Sequence, residues 1–558
     1  MTAVRPAAIL ALCLVARAGV AQTPRPLTMA HRSTVYAPHG MIATSQPLAT
    51  AAGLAVLERG GNAIDAAVTA AAVLNVVEPL MTGIGGDMFA LVWVAKERRL
   101  VALNASGRAG SLMTRAALLA RGHGSMPGET VEDVTVPGAL SGWNALLERY
   151  GTMTLAQALQ PAIGYAEEGF PVTPIIAAEW AAETAKLRRD EGARATFLVD
   201  GARAPRAGEW FRNTDLAGTF RLIAAQGPGV LYGGALGQRI VARVRELGGY
   251  LTLDDLQRHH PEWVEPISVP FRGYRVWELP PNGQGVAALE MLRILEPYEL
   301  AALGHNSAAY LHLLIEAKKL AYADLARYVG DPRAMHVPAT ALLTDDYVAG
   351  RRRLIDTARV ADRPDPGKAP TASETIYLTV ADSAGNMVSF INSLYDEFGS
   401  GVVVPGTGFA LQDRGAGFTL EPGLPNTVAP GKRPFHTIIP AFVTRPDSAG
   451  VEHPWMSFGV MGGSMQPQGH VQLLLNLLVF HMDLQDAIDA ARFRHLDGRR
   501  VALEPAIGDG VRRRLEALGH ILVDESAVAF GGAQAIRRLP QGYAAGSDPR
   551  KDGMAAGY

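Results

Sequence analysis

The chain has 558 residues, 48% of them hydrophobic and 19% charged, with a formal net charge of −2 at pH 7. That balance describes a soluble globular protein with a large apolar core. It offers no basic stripe or charge block for nucleic acid, and none of the Cys/His spacings of a zinc site.

The amino terminus has the pattern of an export signal. Arg5 gives a positive start, Ala7 to Ala16 is a short apolar run, and Gly19-Val20-Ala21 supplies the small residues read at a cleavage site. The run is far shorter than the roughly 20 apolar residues of a membrane span, so residues 1–21 are expected to be removed. The alternative is a buried N-terminal helix. Cys13 is the single cysteine and lies inside this segment, after the bulky Leu12 that makes it a poor lipidation site. The mature protein is therefore expected to have no disulfide and no thiol chemistry, and to be periplasmic or secreted.

Helical periodicity runs from Pro47 to about Glu58, stops at Gly60-Gly61-Asn62, and resumes from Ala63 to Leu74. Met81 to Trp93 reads as a glycine turn entering a strand. The glycines precede a strand, whereas the dinucleotide-binding fingerprint opens a helix, so a tight packing turn is the better account. A strand follows from Leu100 to Asn104, ending at Gly107-Arg108. Residues 150–345 are mostly helical in pattern, interrupted by a turn at Pro280 to Gly285 that leads into a helix from Val286. From Ala358 to Ser373 the chain is rich in Pro, Ala, Asp and Arg without periodicity, as in an exposed loop open to cutting. Thr375 to Val380 and Met387 to Ser393 alternate as a hairpin around Ser383-Ala384-Gly385-Asn386. More strands are expected near Phe409 to Leu411, Ile438 to Val443 and Trp455 to Gly459, then helices at about Pro467 to His481 and Leu484 to Phe493. Length alone suggests three or four domains at about 150 residues each. Strand-rich and helix-rich stretches nevertheless need each other for burial, which favours one layered α/β unit.

On the first hairpin strand Ile376, Leu378 and Val380 face one side, and Thr375, Tyr377 and Thr379 the other. Cutting the chain just before Thr375 would place a new α-amine, a base, beside that residue's own hydroxyl, the threonine form of an activated nucleophile.

Several separated segments together resemble the γ-glutamyltranspeptidase family of N-terminal-nucleophile hydrolases. They are Gly60 to Ala67, Glu78 to Gly86, Gly107-Arg108, Thr375 with Gly385-Asn386, Phe398 to Gly401, Lys432-Arg433-Pro434, Gly462-Gly463-Ser464, and Ser547 to Arg550 with the end at Tyr558. The resemblance runs from about His31 to Tyr558. It implies a four-layer αββα sandwich, formed as one precursor that cuts itself between Glu374 and Thr375. Residues 22–374 and 375–558 then become a large and a small subunit of one unit. Thr371, Ser373 and Thr379 are rival hydroxyls, supported by neither the strand register nor the family motif.

The same resemblance implies roles for other residues. Gly462 and Gly463 match the oxyanion-hole pair, where backbone N–H groups approach a reacting carbonyl. Ser393 falls where the family has a threonine hydroxyl bonded to the nucleophile, and Asn386 closes the hairpin. Arg108 matches the arginine that holds the substrate α-carboxylate. Two carboxylate-binding serines become His436 and Thr437, although His436 could equally be a packed core histidine. Counting from Thr375, the asparagine that binds the substrate α-amine becomes Tyr395, and its partner aspartate becomes Gly417. A buried ammonium without a countercharge is expensive; Asp396, Glu397 and Asp413 are the nearby candidates to replace it. The loop Phe418 to Pro434 is short where many relatives carry a lid.

The expected activity is an amidohydrolase acting through an acyl-enzyme on γ-glutamyl or related carboxylate-bearing amides such as glutathione. The alternative is a related acylase on glutaryl-type amides or oxamate, with little demand for the amine. Hydrolysis is expected to exceed transfer to an acceptor. No cofactor or metal is implied. The expected partners are a small-molecule amide and the two subunits, with no nucleic acid and no membrane. A scaffold that keeps the fold without turnover is the rival of another class. A serine hydrolase of another fold lacks its Gly-x-Ser-x-Gly elbow, and a metalloenzyme lacks His-Glu-x-x-His.

Overall fold

The structure is a computed structural model describing residues 31–361 and 374–558. The amino-terminal segment with Cys13, and all but the first residues of the loop at 358–373, lie outside the described residues. Two seven-stranded sheets dominate. One runs in the order Val35–Ala37, Tyr543–Ser547, Gly532–Arg538, Glu452–Met461, Ala441–Pro446, Tyr274–Glu278 and Ile267–Phe271. The other runs Met554–Gly557, Met41–Thr44, Glu374–Ala381, Met387–Tyr395, Asp87–Val94, Arg99–Ala105 and Glu262–Val264. Neighbours in both are antiparallel.

Three apolar cores separate four layers. Helices Pro47–Glu58 and Ala63–Val77 cover the outer face of the second sheet, where Ile376, Leu378, Val380, Val388 and Phe390 join them. Helices Gly285–Leu295, Ala308–Tyr328 and Gln466–Leu478 cover the outer face of the first. Between the sheets lie Met41, Phe89, Leu91, Tyr377, Ile391, Ile438, Phe442 and Ile536. This is the αββα sandwich. The period-2 alternation of Glu374–Ala381 therefore has a direct cause: its aliphatic residues meet helices, and Tyr377 meets the opposing sheet. All of Ala63–Val77 is buried, which its run of alanines permits, and Asn62 with Asp65 forms a capping box at its start.

The glycine turn before Asp87 is a packing device, as expected. A Cβ on Gly86 would lie 2.3 Å from the Ser393 carbonyl oxygen, so only glycine lets this turn press against the second hairpin strand. Asn386 closes the hairpin, bonding to Asp382 and accepting from the Ala95 amide.

Some elements differ from expectation. Phe409 to Leu411 is not a strand; Ala410 makes one bridge to Val403. The stretch read as mostly helical contains strands Glu262–Val264, Ile267–Phe271 and Tyr274–Glu278. The last expected helix ends at Asp489, and Phe493–His495 joins a small third sheet with Arg500–Leu503 and Ile521–Val523. Among the described residues no helix is long and apolar enough to cross a membrane.

Candidate active site

Thr375 lies on the second sheet, fully buried, and its Oγ1 donates to Ser393 Oγ at 3.2 Å. Ser393 Oγ also accepts from the Tyr395 amide at 2.8 Å. The two hydroxyls sit on paired strands, in a ladder where Glu374 faces Tyr395 and a bulge follows before Ile376. The long O···O distance leaves room to tighten when a reacting group enters.

The opposing sheet carries the glycine pair Gly462-Gly463. Across the interface Thr379 Oγ1 bonds Ser457 Oγ, and the Tyr377 ring packs on Gly459, where a Cβ would lie only 2.4 Å from it. The two strands thus run oppositely, and continuing the pairing brings Thr375 to the end of Glu452–Met461, at Gly462-Gly463. Both glycines have left-handed φ, 118° and 55°. A side chain there would be strained as well as in the way. Neither amide donates to another described residue, so two N–H groups are free for a developing oxyanion. Gln284 Nε2 fixes the turn from behind, donating to the Gly463 carbonyl at 2.8 Å and to the Thr437 carbonyl at 2.5 Å.

His436 is buried and donates Nε2–H to Asp87 Oδ2 at 3.0 Å. Burial first, then the nearby Arg414 charge, hold its pKa down at about 4 despite Asp87. It is neutral at physiological pH. Asp87 Oδ1 in turn accepts from the amides of Gly107 and Gly138. His436 thus anchors the site's frame. Thr437 lines a cavity of about 820 Å³, together with Gln284, Gly417, Phe418, Phe435 and Ser464. The short 418–434 loop forms one wall of that cavity.

Arg108 is already engaged. It bonds Glu262 Oε1 at 2.7 Å and Asp331 Oδ2 at 3.1 Å. Arg433 and Arg333 share those carboxylates. Asp331 is buried, which would raise its pKa, yet its hydrogen bonds from Arg333 and Arg433 bring it down to about 2.

A second arginine, unremarkable in the sequence, is the more unusual group. Arg414 is fully buried and makes one hydrogen bond among the described residues, from Nη1 to Thr437 Oγ1 at 2.9 Å. Its Nε and Nη2 have no partner among the described residues. The guanidinium lies over the Tyr395 ring, 4.5 Å from its centroid. Tyr395 takes a left-handed φ of 90° to turn the chain there. Burial lowers the pKa of Arg414, against the pull of Asp87, Tyr395, Asp413 and Asp396. Asp396 and Asp413 give it little: burial and then Asp413 push the Asp396 carboxyl up to about 10, so the pair keeps a proton. Each unmade donor bond costs about 1–3 kcal/mol. The position matched to the family's amine-binding aspartate is closed as well. A Cβ on Gly417 would sit 2.5 Å from the Phe435 carbonyl oxygen.

The fold also gathers His312, Glu316 and His520, scattered in the sequence, so that their ligand atoms lie within 4.8 Å of one another. The two rings bond each other at 2.8 Å and Lys319 holds Glu316, which fills the cluster with protein partners.

A profile described as gamma-glutamyltranspeptidase matches residues 49–558. Among solved structures, a cephalosporin acylase from Bacillus halodurans superposes with a TM-score of 0.89, at 45% identity over 96% of this chain and 98% of that one. The oxamate amidohydrolase proenzyme of Klebsiella pneumoniae is 39% identical over 95% of this chain and 100% of its own. The glutathione hydrolase-like YwrD proenzyme of Bacillus subtilis is 37% identical over 93% and 98%. Relatives with similar coverage thus differ in the substrate that their names record.

Proposed function

This chain belongs to the gamma-glutamyltranspeptidase family of amidohydrolases, and from that premise we propose that it is a self-cleaving threonine hydrolase of carboxylate-bearing amides with little demand for an α-amine. The observation that carries the proposal is the buried, hydrogen-bonded pair of hydroxyls of Thr375 and Ser393. Thr375 Oγ1 attacks the Glu374 carbonyl carbon, and the C–N bond to Thr375 breaks as its nitrogen takes a proton. The acyl group now sits on oxygen as an ester. Water adds to that ester, releasing the Glu374 carboxylate and freeing hydroxyl and α-amine together. In turnover the α-amine takes the hydroxyl proton, Oγ1 attacks the substrate amide, and the leaving amine departs with the proton. Water then hydrolyses the acyl-enzyme. Gly462 and Gly463 stabilise each tetrahedral oxyanion, and losing one such donor costs about 3 kcal/mol.

The acyl preference follows from the amine side. Gly417 has no room for a carboxylate, and Arg414, which makes no ion pair among the described residues, repels an ammonium. Glutaryl-type and oxamate-like amides therefore suit the site better than γ-glutamyl ones. The short 418–434 loop leaves the cavity open to water, which favours hydrolysis over transfer. Residues 1–21, read as an export signal, place the activity in the periplasm or outside the cell.

Mass spectrometry of purified protein tests the first step. The expected result is a small chain beginning Thr-Ile-Tyr-Leu, and a single uncut chain in Thr375→Ala. Comparing kcat/KM for glutaryl and γ-glutamyl anilides, with and without a dipeptide acceptor, tests the second. A strong γ-glutamyl preference, or a large acceleration by the acceptor, would defeat it.

A further inference from the structure

We propose that Arg414 is the residue that binds the carboxylate of the acyl group, by a two-pronged contact from Nε and Nη2; this rests on the amidohydrolase reading above. The two donors without partners are the ones on a single edge of the guanidinium. That edge presents parallel N–H bonds at the spacing of two carboxylate oxygens. The third nitrogen is tied to Thr437, a residue of the cavity wall, which fixes the plane of the fork. Tyr395 supports the other face, and its amide holds Ser393 beside Thr375. The free edge is thereby tethered on one side to the nucleophile and on the other to the cavity.

Charge points the same way. Arg108 meets two carboxylates within 3.1 Å, and Glu262 and Asp331 are shared with Arg433 and Arg333. Arg414 makes no ion pair among the described residues. Asp87, the acid that pulls on it most, bonds His436 and the Gly107 and Gly138 amides instead, and Asp396 is pushed towards its neutral form by burial and by Asp413. A buried cation with no direct ion pair is costly unless a ligand supplies one. Cleavage provides the opening. In the uncut chain residue 374 pairs with Tyr395, and after hydrolysis that position in the ladder is vacated next to the ring on which Arg414 lies. A short dicarboxylic mono-acyl group fills it, its carbonyl on Thr375 and its far carboxylate on the fork.

The test removes the charge from each side in turn. Mature wild-type enzyme and the Arg414→Gln and Arg414→Lys variants are assayed on glutaryl p-nitroanilide and on its monomethyl ester. The wild type is expected to prefer the free acid by roughly 100-fold, the worth of a charged hydrogen-bonded pair. Arg414→Gln is expected to bring that ratio near unity, and Arg414→Lys to recover part of it. A mature Arg414→Gln enzyme with the wild-type ratio overturns the proposal. Should Arg414→Gln fail to mature, a crystal structure of the wild type with glutarate decides. A carboxylate within hydrogen-bond distance of Nε and Nη2 supports the assignment, and one bound at Arg108 with Arg414 untouched overturns it. A wild type that turns over neither anilide sinks the functional reading instead, and the glutarate structure still judges Arg414.

Discussion

Thr375 and Ser393 are joined by one hydrogen bond, and Ser393 is itself oriented by the Tyr395 amide. Removing the Ser393 hydroxyl strips Thr375 of its partner and leaves a buried N–H unmet. Ser393→Ala is expected to slow both self-cleavage and amide turnover by roughly 10- to 100-fold, the usual worth of one bond to a group gaining charge. Ser393→Thr keeps the hydroxyl and is expected to retain most activity. Timed gels and kcat measure the two effects, and a Ser393→Ala enzyme that matures and turns over normally would remove Ser393 from the mechanism. The Thr375–Ser393 contact and the turn at Gly462-Gly463 were legible in the sequence because each stands in a local motif. Arg414 was not, because being unpaired is a property of the surrounding volume. Arg108 shows the converse: a motif match marked it, but its partners Glu262 and Asp331 are distant in sequence.

At the scale of elements, strong periodicity was readable and weak periodicity was not. The hairpin and the helix Pro47–Glu58 stand where their patterns put them. Ile267–Phe271 was hidden by Pro270, which argues against a strand. It is the edge strand of its sheet, where a missing N–H costs no ladder bond. Helix Ala63–Val77 ends on a buried acid, Glu78, which accepts from Ser45 Oγ at 2.7 Å. Burial raises its pKa from 4.5 to about 8, with Ser45 and Lys551 opposing. The folded state thus keeps a proton that the unfolded chain releases above about 4.5. The stability this contributes is full below that pH and is lost as pH rises towards 8, at about 1.4 kcal/mol per pH unit. Glu78→Gln is neutral at every pH, so its melting midpoint is expected to fall less between pH 5 and 8. An identical slope in the variant would show that Glu78 is ionised in the fold.

The two sheets are each woven from strands on both sides of Thr375. Glu374–Ala381 is flanked by Met41–Thr44 and Met387–Tyr395, and the terminal Met554–Gly557 pairs with Met41–Thr44. A cut before Thr375 therefore severs no layer, and the pieces stay together through the same apolar cores. Asp548 holds the far end of this assembly. It is fully buried, and accepts from Arg492 Nη2 and the Ala533 amide on Oδ2, and from the Arg550 amide and Nη1 on Oδ1. Arg550 continues to Glu504, so one carboxylate links the first sheet, the small third sheet and the chain end. Burial would raise the pKa of Asp548, but Arg492 and Arg550 overcome it and the net shift is downward. A depressed carboxyl stabilises the fold above its unfolded pKa, and that contribution is lost as pH falls through its folded value. This slope is opposite to that of Glu78, so the two together favour a stability maximum in mild acid. Asp548→Asn removes the one carboxylate that bonds the buried Arg492 guanidinium among the described residues. The expected loss is about 3–5 kcal/mol, read as a lowered denaturation midpoint in the uncut Thr375→Ala background, where the chain unfolds as one piece. A midpoint unchanged by Asp548→Asn would mean that the neighbouring carbonyls alone satisfy Arg492.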